Sequence, residues 1–161
     1  MRVTLIRHAE AGDDAPRDES RALTVRGRAD ARRLGRALAR RGVRFSLIVT
    51  SPLVRAVQTA EIVAAATAYR GRMPAHDVLE PEASASGVVA LLSKLGDEKS
   101  VALVAHEPIL SAVAAALLHE PRYPSLRKAE ALRIRLPDDA AAAGARRWRI
   151  DGGTGSRERL R

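Results

Sequence analysis

Arg7 and His8 follow the apolar run Val3-Thr4-Leu5-Ile6 near the start of the chain. Two later segments repeat the pattern of a short hydrophobic strand running into polar side chains beside a proline. One is Leu47-Ile48-Val49-Thr50-Ser51-Pro52-Leu53-Val54-Arg55, the other Val101-Ala102-Leu103-Val104-Ala105-His106-Glu107-Pro108. A neutral imidazole can attack phosphorus through one ring nitrogen while a hydrogen bond holds the other. A guanidinium fork beside it takes two non-bridging oxygens at once. Arg55 falls in the first turn of a helix begun at a proline, where its charge and the free N–H groups can face one anion. In an open α/β sheet the parallel strands end on a common edge, and ligands bind there. Two arginines and two histidines on that edge make a site for a dianion with a nucleophile inside it. That is phosphoryl chemistry.

The elements that must position these residues follow from pattern. Residues 2–7 read as a buried strand, and Ala9 to Ser20 as a loop too acidic for regular structure. Thr24 is the expected N-cap of a helix of about 17 residues, with Ala31, Leu34, Ala37 and Leu38 as its apolar stripe. Arg32, Arg33, Arg36 and Arg40 take its outer face, and Gly42 closes it. Ser46 to Val49 form a second strand. Ser51 is the predicted cap of the next helix, with Pro52 at its first position, running to about Ala68. Val78-Leu79 reads as a short strand, and residues 86–95 as a helix. Val101 to Ala105 form a third long strand, and Pro108 opens a helix to Leu118. Strict alternation over residues 131–136 predicts a half-buried strand, paired with residues 147–150.

This order predicts an α/β fold: a single three-layer αβα domain over residues 1–150, with a mostly parallel central sheet and helices on both faces. Residues 151–161 are expected to be a flexible basic tail.

Composition narrows the function classes. At 161 residues, 46% hydrophobic and 29% charged, the chain has the make-up of a soluble globular domain. Aromatic residues make up only 2%, so Leu, Val, Ile and Ala must build the core. Platforms for stacking bases are nearly absent, which argues against specific nucleic-acid binding. No apolar run reaches the roughly 18 residues of a membrane span, and the first residues lack the pattern of a signal peptide. The absence of cysteine excludes disulfides and thiolate chemistry and fits a reducing, cytoplasmic setting. The net charge of +9 attracts acidic and phosphorylated partners, though arginine also serves simply to solvate helix faces.

The residues also carry a family resemblance. Arg7-His8-Ala9-Glu10, the run from Ser51 to Ala60 (SPLVRAVQTA), and Val104-Ala105-His106-Glu107-Pro108 resemble the three signatures of the histidine phosphatase superfamily, whose fold is phosphoglycerate mutase-like. Arg21-Ala22-Leu23-Thr24-Val25-Arg26-Gly27 and the compact length resemble its short branch, the SixA-type phosphohistidine phosphatases. The match spans about residues 1–120 in the same order, and its middle signature is the most specific.

The resemblance implies that His8 is the nucleophile that becomes phosphorylated. Arg7, Arg55 and His106 would hold the equatorial oxygens, and Arg21 would be an accessory phosphate ligand. It implies no metal and no cofactor. The chain departs from the family at Ala9, where Gly is common, and at the general acid. Glu80 and Glu82 are the two candidates, and neither stands in a clear family signature. A weakly defined acid suits a phosphoramidate, because phosphohistidine can be protonated on its own distal ring nitrogen, whereas an alkyl phosphate needs help.

Three functions stay open at this point. The first is a phosphatase of phosphohistidine on a protein, acting through phospho-His8. The second is the same machinery acting on a small phosphate ester. The third is a non-catalytic phosphate- or polyanion-binding module, against which the presence of His8 with all its expected partners argues. Oligomeric state is not legible.

Overall fold

The computed structural model describes residues 1–137, 145–154 and 157–159. Six strands form one sheet: β1 (Arg2–Arg7), β2 (Leu47–Thr50), β3 (Ser100–Ala105), β4 (Glu130–Arg135), β5 (Ala145–Asp151) and β6 (Arg157–Arg159). Their order across the sheet is β2-β3-β1-β4-β5-β6. β2, β3 and β1 are mutually parallel, and β4, β5 and β6 are added antiparallel. Four strands, β1, β2, β3 and β5, therefore run the same way. The sheet is mixed, and its parallel half carries the strand ends singled out by sequence.

Alternation along the strands sends side chains to two separate cores. Val3 and Leu5 of β1 lie with Val101, Leu103, Leu132 and Ile134 against α3 (Ala85–Lys94) and α4 (Ile109–Leu118). Ile6 lies with Ile48, Ala102, Val104, Ala131 and Ile150 against α1 (Val25–Arg40) and α2 (Val54–Ala66). The result is the expected three-layer α/β domain. With so few aromatics, close approach has to come from small residues: a Cβ on Gly35 of α1 would sit 2.6 Å from the Ala66 Cβ of α2. Among the described residues, no helix is long and apolar enough to cross a membrane.

Most expected elements form within a residue or two of their predicted bounds. Thr24 caps α1, its hydroxyl accepting from the Gly27 N–H at 2.9 Å. Three readings change. The helix after β2 starts at Val54 with Leu53 as its N-cap, because the Ser51 hydroxyl that would have capped it is engaged by His106. Asp77–Leu79 is a 3-10 turn rather than a strand, with His76 accepting from the Val78 N–H in the manner of a cap. Of the flexible tail expected over 151–161, residues 155, 156, 160 and 161 lie outside the described residues, and the described ones are partly in strand. Asp151 ends β5, its carboxylate accepts from the Gly153 N–H at 2.8 Å, and residues 157–159 pair with β5.

Candidate active site

Because β2, β3 and β1 are adjacent and parallel, their C-terminal ends meet on one edge of the sheet. The His8 N–H donates to the Ala105 carbonyl at 3.0 Å and the Ser51 N–H to Val104 at 2.9 Å, extending the ladder by one residue on each side of β3. This brings Arg7-His8, Ser51 and His106 together. The His8 and His106 rings lie 4.9 Å apart between centroids, tilted by 52°. Arg55, in the first turn of α2, is buried beside them.

His8 Nδ1 lies 2.7 Å from the Ala9 carbonyl. A carbonyl can only accept, so Nδ1 carries the hydrogen and the lone pair sits on Nε2. The Ala9 backbone is fixed in turn, since its N–H donates to Thr59 Oγ1 at 3.1 Å, and Thr59 is anchored to the Arg55 carbonyl. Burial, followed by the Arg55, Arg7 and Lys128 charges, pushes the His8 pKa down to about 4, against the opposing pull of the Ala9 hydrogen bond. The ring is therefore neutral at physiological pH, as attack through Nε2 requires.

His106 Nε2 lies 2.9 Å from Ser51 Oγ, and that oxygen also accepts weakly from the Leu53 N–H at 3.4 Å. The Ser51 hydroxyl can donate to Nε2, and the tautomer with the His106 proton on Nδ1 satisfies this contact. Burial, then His8 and Arg55, pushes the His106 pKa down to about 3. Both Nδ1 of His106 and Nε of Arg7 are buried without a hydrogen-bond partner. Such orphaned donors are uncommon in folded proteins and mark a place where something else binds. Arg7 is otherwise held by the Leu126 carbonyl at 2.7 Å.

Arg55 is oriented by Asp18, whose carbonyl accepts from Nη1 at 2.7 Å and whose carboxylate accepts from Nη2 at 2.9 Å. The same carboxylate accepts from Arg21 Nη1 at 2.9 Å. Arg21 also donates to the Gly12 carbonyl at 2.7 Å and pairs with Asp13. Arg21 is thus linked to the cluster through Asp18. Hydrogen bonds from Arg21 and then Arg55 hold the Asp18 carboxyl below its ordinary range, so it is ionised at neutral pH. A groove of about 780 Å³, lined by Arg17, Asp18, Glu19, Ser20, Pro52 and Val54, lies beside this pair.

Glu80 caps the 3-10 turn and is half-buried, while Glu82 is exposed. Among the described residues neither carboxylate makes a hydrogen bond or ion pair. The same residues contain no cluster of three or more His, Cys, Asp or Glu side chains arranged to hold a metal.

Several supporting residues escaped the sequence reading. Glu107 is the most informative. Its carboxylate accepts from the Leu126 N–H at 2.8 Å and from the Ser111 hydroxyl at 2.6 Å. It thereby fixes the segment whose Leu126 carbonyl holds Arg7. Asp18, Ser51, Thr59 and Lys128 belong with it. Glu107, Ser51 and Thr59 stand inside the motifs already quoted, whereas Asp18 and Lys128 arrive through contacts distant in sequence.

The two depressed histidine pKa values carry a stability consequence. Between about pH 6.5 and 4 the unfolded chain binds protons that the native histidines refuse. Stability should therefore fall as pH drops through that window, with a slope of at most about 1.4 kcal/mol per pH unit for each histidine. Urea titrations from pH 7 to 4 check this, with His106→Gln expected to flatten the slope. An unchanged slope would show that His106 is not neutral in the native state.

Comparison with known proteins agrees with the geometry. Residues 3–79 match the family model of the histidine phosphatase superfamily, branch 1. An uncharacterized protein of Picosynechococcus sp. is 35% identical over 122 residues, covering 73% of each chain. The mitochondrial serine/threonine-protein phosphatase Pgam5 of Drosophila persimilis is 39% identical over 61 residues, 38% of this chain and 21% of Pgam5. This chain thus matches only a small part of Pgam5. The structure of the protein histidine phosphatase SixA with tungstate superposes with a TM-score of 0.89 at 25% identity, covering 96% of this chain and 99% of SixA. A SixA relative from Agrobacterium tumefaciens gives 0.75 at 28% identity, covering 85% and 95%. The chain belongs to the histidine phosphatase superfamily, in its SixA-like form.

Proposed function

We propose that this protein is a phosphatase that hydrolyses phosphohistidine on a protein substrate through a covalent intermediate on His8. The observation that carries the reading is the His8 ring: neutral, with Nδ1 committed to Ala9, and set beside the orphaned donors Arg7 Nε and His106 Nδ1. A phosphoryl oxygen is the partner those donors lack. Arg55 adds a second guanidinium, already oriented by Asp18, and Arg21 steadies Asp18.

In the first step the Nε2 lone pair forms a bond to phosphorus as the bond from phosphorus to the substrate's ring nitrogen breaks. The departing imidazole carries a hydrogen on its distal nitrogen and leaves neutral. Water then attacks phospho-His8, the N–P bond breaks, and inorganic phosphate leaves while Nε2 regains its lone pair. Catalysis of this kind rests on positioning and on charge held in advance around the transferred group. The groove beside Asp18 is where we place the rest of the substrate. The absence of cysteine supports a cytoplasmic site of action.

The substrate class is tested by kcat/KM for a phosphohistidine peptide and for an alkyl phosphate, on wild type, Glu80→Gln and Glu82→Gln. We expect each variant to lose less than about tenfold on phosphohistidine, below the roughly 10²–10⁴ of a general acid. We expect the alkyl ester to be poor for all three proteins, and EDTA to leave every rate unchanged. A loss above about a hundredfold in one glutamate variant would identify it as a general acid. The preference for phosphoramidates would then lose its basis, and a small phosphate ester would become the better substrate class.

A further inference from the structure

A second cluster of arginines lies at the other end of the sheet. Arg2 begins β1 while His8 follows its end, so the two are separated by about 20 Å of strand. There the start of β1, the segment after α1 and the face of β4 and β5 enclose a cavity of about 510 Å³. Among the described residues Arg2, Arg41, Arg44, Arg133 and Trp148 line it, and none of these is acidic.

Arg133 is the residue that sets this cavity apart. It stands on β4 opposite Thr4 and Trp148, on the sheet face that α1 and α2 cover. Its guanidinium donates to Thr4 Oγ1 at 2.7 Å and Ser100 Oγ at 3.0 Å, two neutral hydroxyls. Two other part-buried arginines are held by carboxylates instead. Arg149 on β5 makes two hydrogen bonds to Glu130, at 2.7 and 2.8 Å, and Arg33 pairs with Asp30. Among the described residues Arg133 has no carboxylate, and its charged neighbour is Arg2. Burial, and then Arg2, pull its pKa down to about 10. A cation taken partly out of water beside a like charge is costly unless an anion joins it. Arg7, likewise without a carboxylate partner among the described residues and with its Nε buried and unbonded, lies in the candidate phosphate site.

We propose that this cavity is a second anion site, taking a small ligand that bears a pyrophosphate group. Guanidinium forks match phosphate oxygens in pairs, and Arg2, Arg44 and Arg133 on one cavity suit an anion of more than two charges. The volume lies within the range of small-molecule pockets. Trp148 gives one wall an aromatic surface on which a ligand ring can rest. The site does not depend on the catalytic reading, since it shares no residue with it.

Trp148 is the chain's only tryptophan, so its fluorescence reports directly on the cavity. Titration with methylenediphosphonate and with α,β-methylene-ADP, neither cleavable at the bridging position, should give a saturable change with half-saturation below about 1 mM at low salt. Raising the ionic strength tenfold should weaken it several-fold. Arg2→Gln and Arg44→Gln, at exposed positions, should each weaken binding at least about fivefold while leaving phosphatase turnover unchanged. Arg55→Ala should leave this binding intact. Tighter binding of the nucleotide analogue would assign Trp148 to the ring, and equal binding would confine recognition to the pyrophosphate. No saturable change up to about 10 mM would overturn the proposal, and so would binding that disappears in Arg55→Ala but survives in Arg2→Gln and Arg44→Gln. Binding seen only after Asp138→Asn and Asp139→Asn would also overturn it, by showing that the chain supplies its own counter-charge.

Discussion

His8→Ala should form no acid-labile phosphoenzyme and should retain negligible turnover with any phosphorylated substrate. The expectation follows from the ring's geometry. Nδ1 is spent on the Ala9 carbonyl, Nε2 carries the lone pair, and burial keeps the imidazole unprotonated with a pKa of about 4. No other histidine matches this arrangement. His106, the nearest, has its Nε2 occupied by Ser51. The fold should survive the substitution, because the His8 backbone N–H to Ala105 is unaffected and a buried polar ring is removed rather than added. Far-UV circular dichroism and a urea titration would confirm that the lost turnover is chemical. Wild-type rates in His8→Ala would return the chain to the class of phosphate-binding modules or to another nucleophile.

Arg55→Ala should lower kcat/KM by about 10²–10³, the loss found when one pre-positioned donor to a developing charge is removed. Arg55→Lys should rescue little, since a single ammonium cannot hold both the Asp18 carboxylate and the transferring phosphoryl group. Asp18→Asn is the informative companion. If Asp18 only orients Arg55, the amide oxygen preserves part of that role, and the loss should stay below about tenfold. The depressed pKa of Asp18 supports this role, because a carboxylate held ionised by Arg21 and Arg55 is a poor proton donor. A loss in Asp18→Asn as large as in Arg55→Ala would instead give Asp18 a part in the chemistry. Steady-state kinetics on the three variants separate these outcomes.

The parts of the site legible in the sequence are those that strand geometry alone positions. Arg7, His8 and His106 each follow a continuous apolar run, and a parallel sheet must bring such ends to one edge. Arg55 was legible because it lies within one helical turn of the β2 end. What the sequence hid depends on distant segments. Asp18 reaches Arg55 from a loop expected to lack regular structure, yet a 3-10 turn at Asp18–Ser20 presents both its carbonyl and its carboxylate. Gly27 shows how that loop is held: a Cβ there would collide with the Glu10 carbonyl, so the loop crosses the start of α1 in direct contact. Ser51-Pro52 carries the local signature of a helix cap. The tertiary demand of His106 overrides it, and the helix begins at Val54. The antiparallel half of the sheet was legible through β4 and β5. The third strand there, β6, has only three residues, too few for a period to show.

The central claim is that the phosphoryl group passes through His8 Nε2, and rapid-quench trapping tests it most directly. Wild-type protein mixed with a ³²P-labelled phosphohistidine peptide, quenched in base and digested, should yield one labelled peptide containing His8. The label should be stable to base, lost in acid, and assigned to Nε2 by comparison with the two phosphohistidine isomers. Hydrolysis of the substrate with no trapped phosphoenzyme at any quench time, or with the label on His106 or on any residue other than His8, would contradict the account.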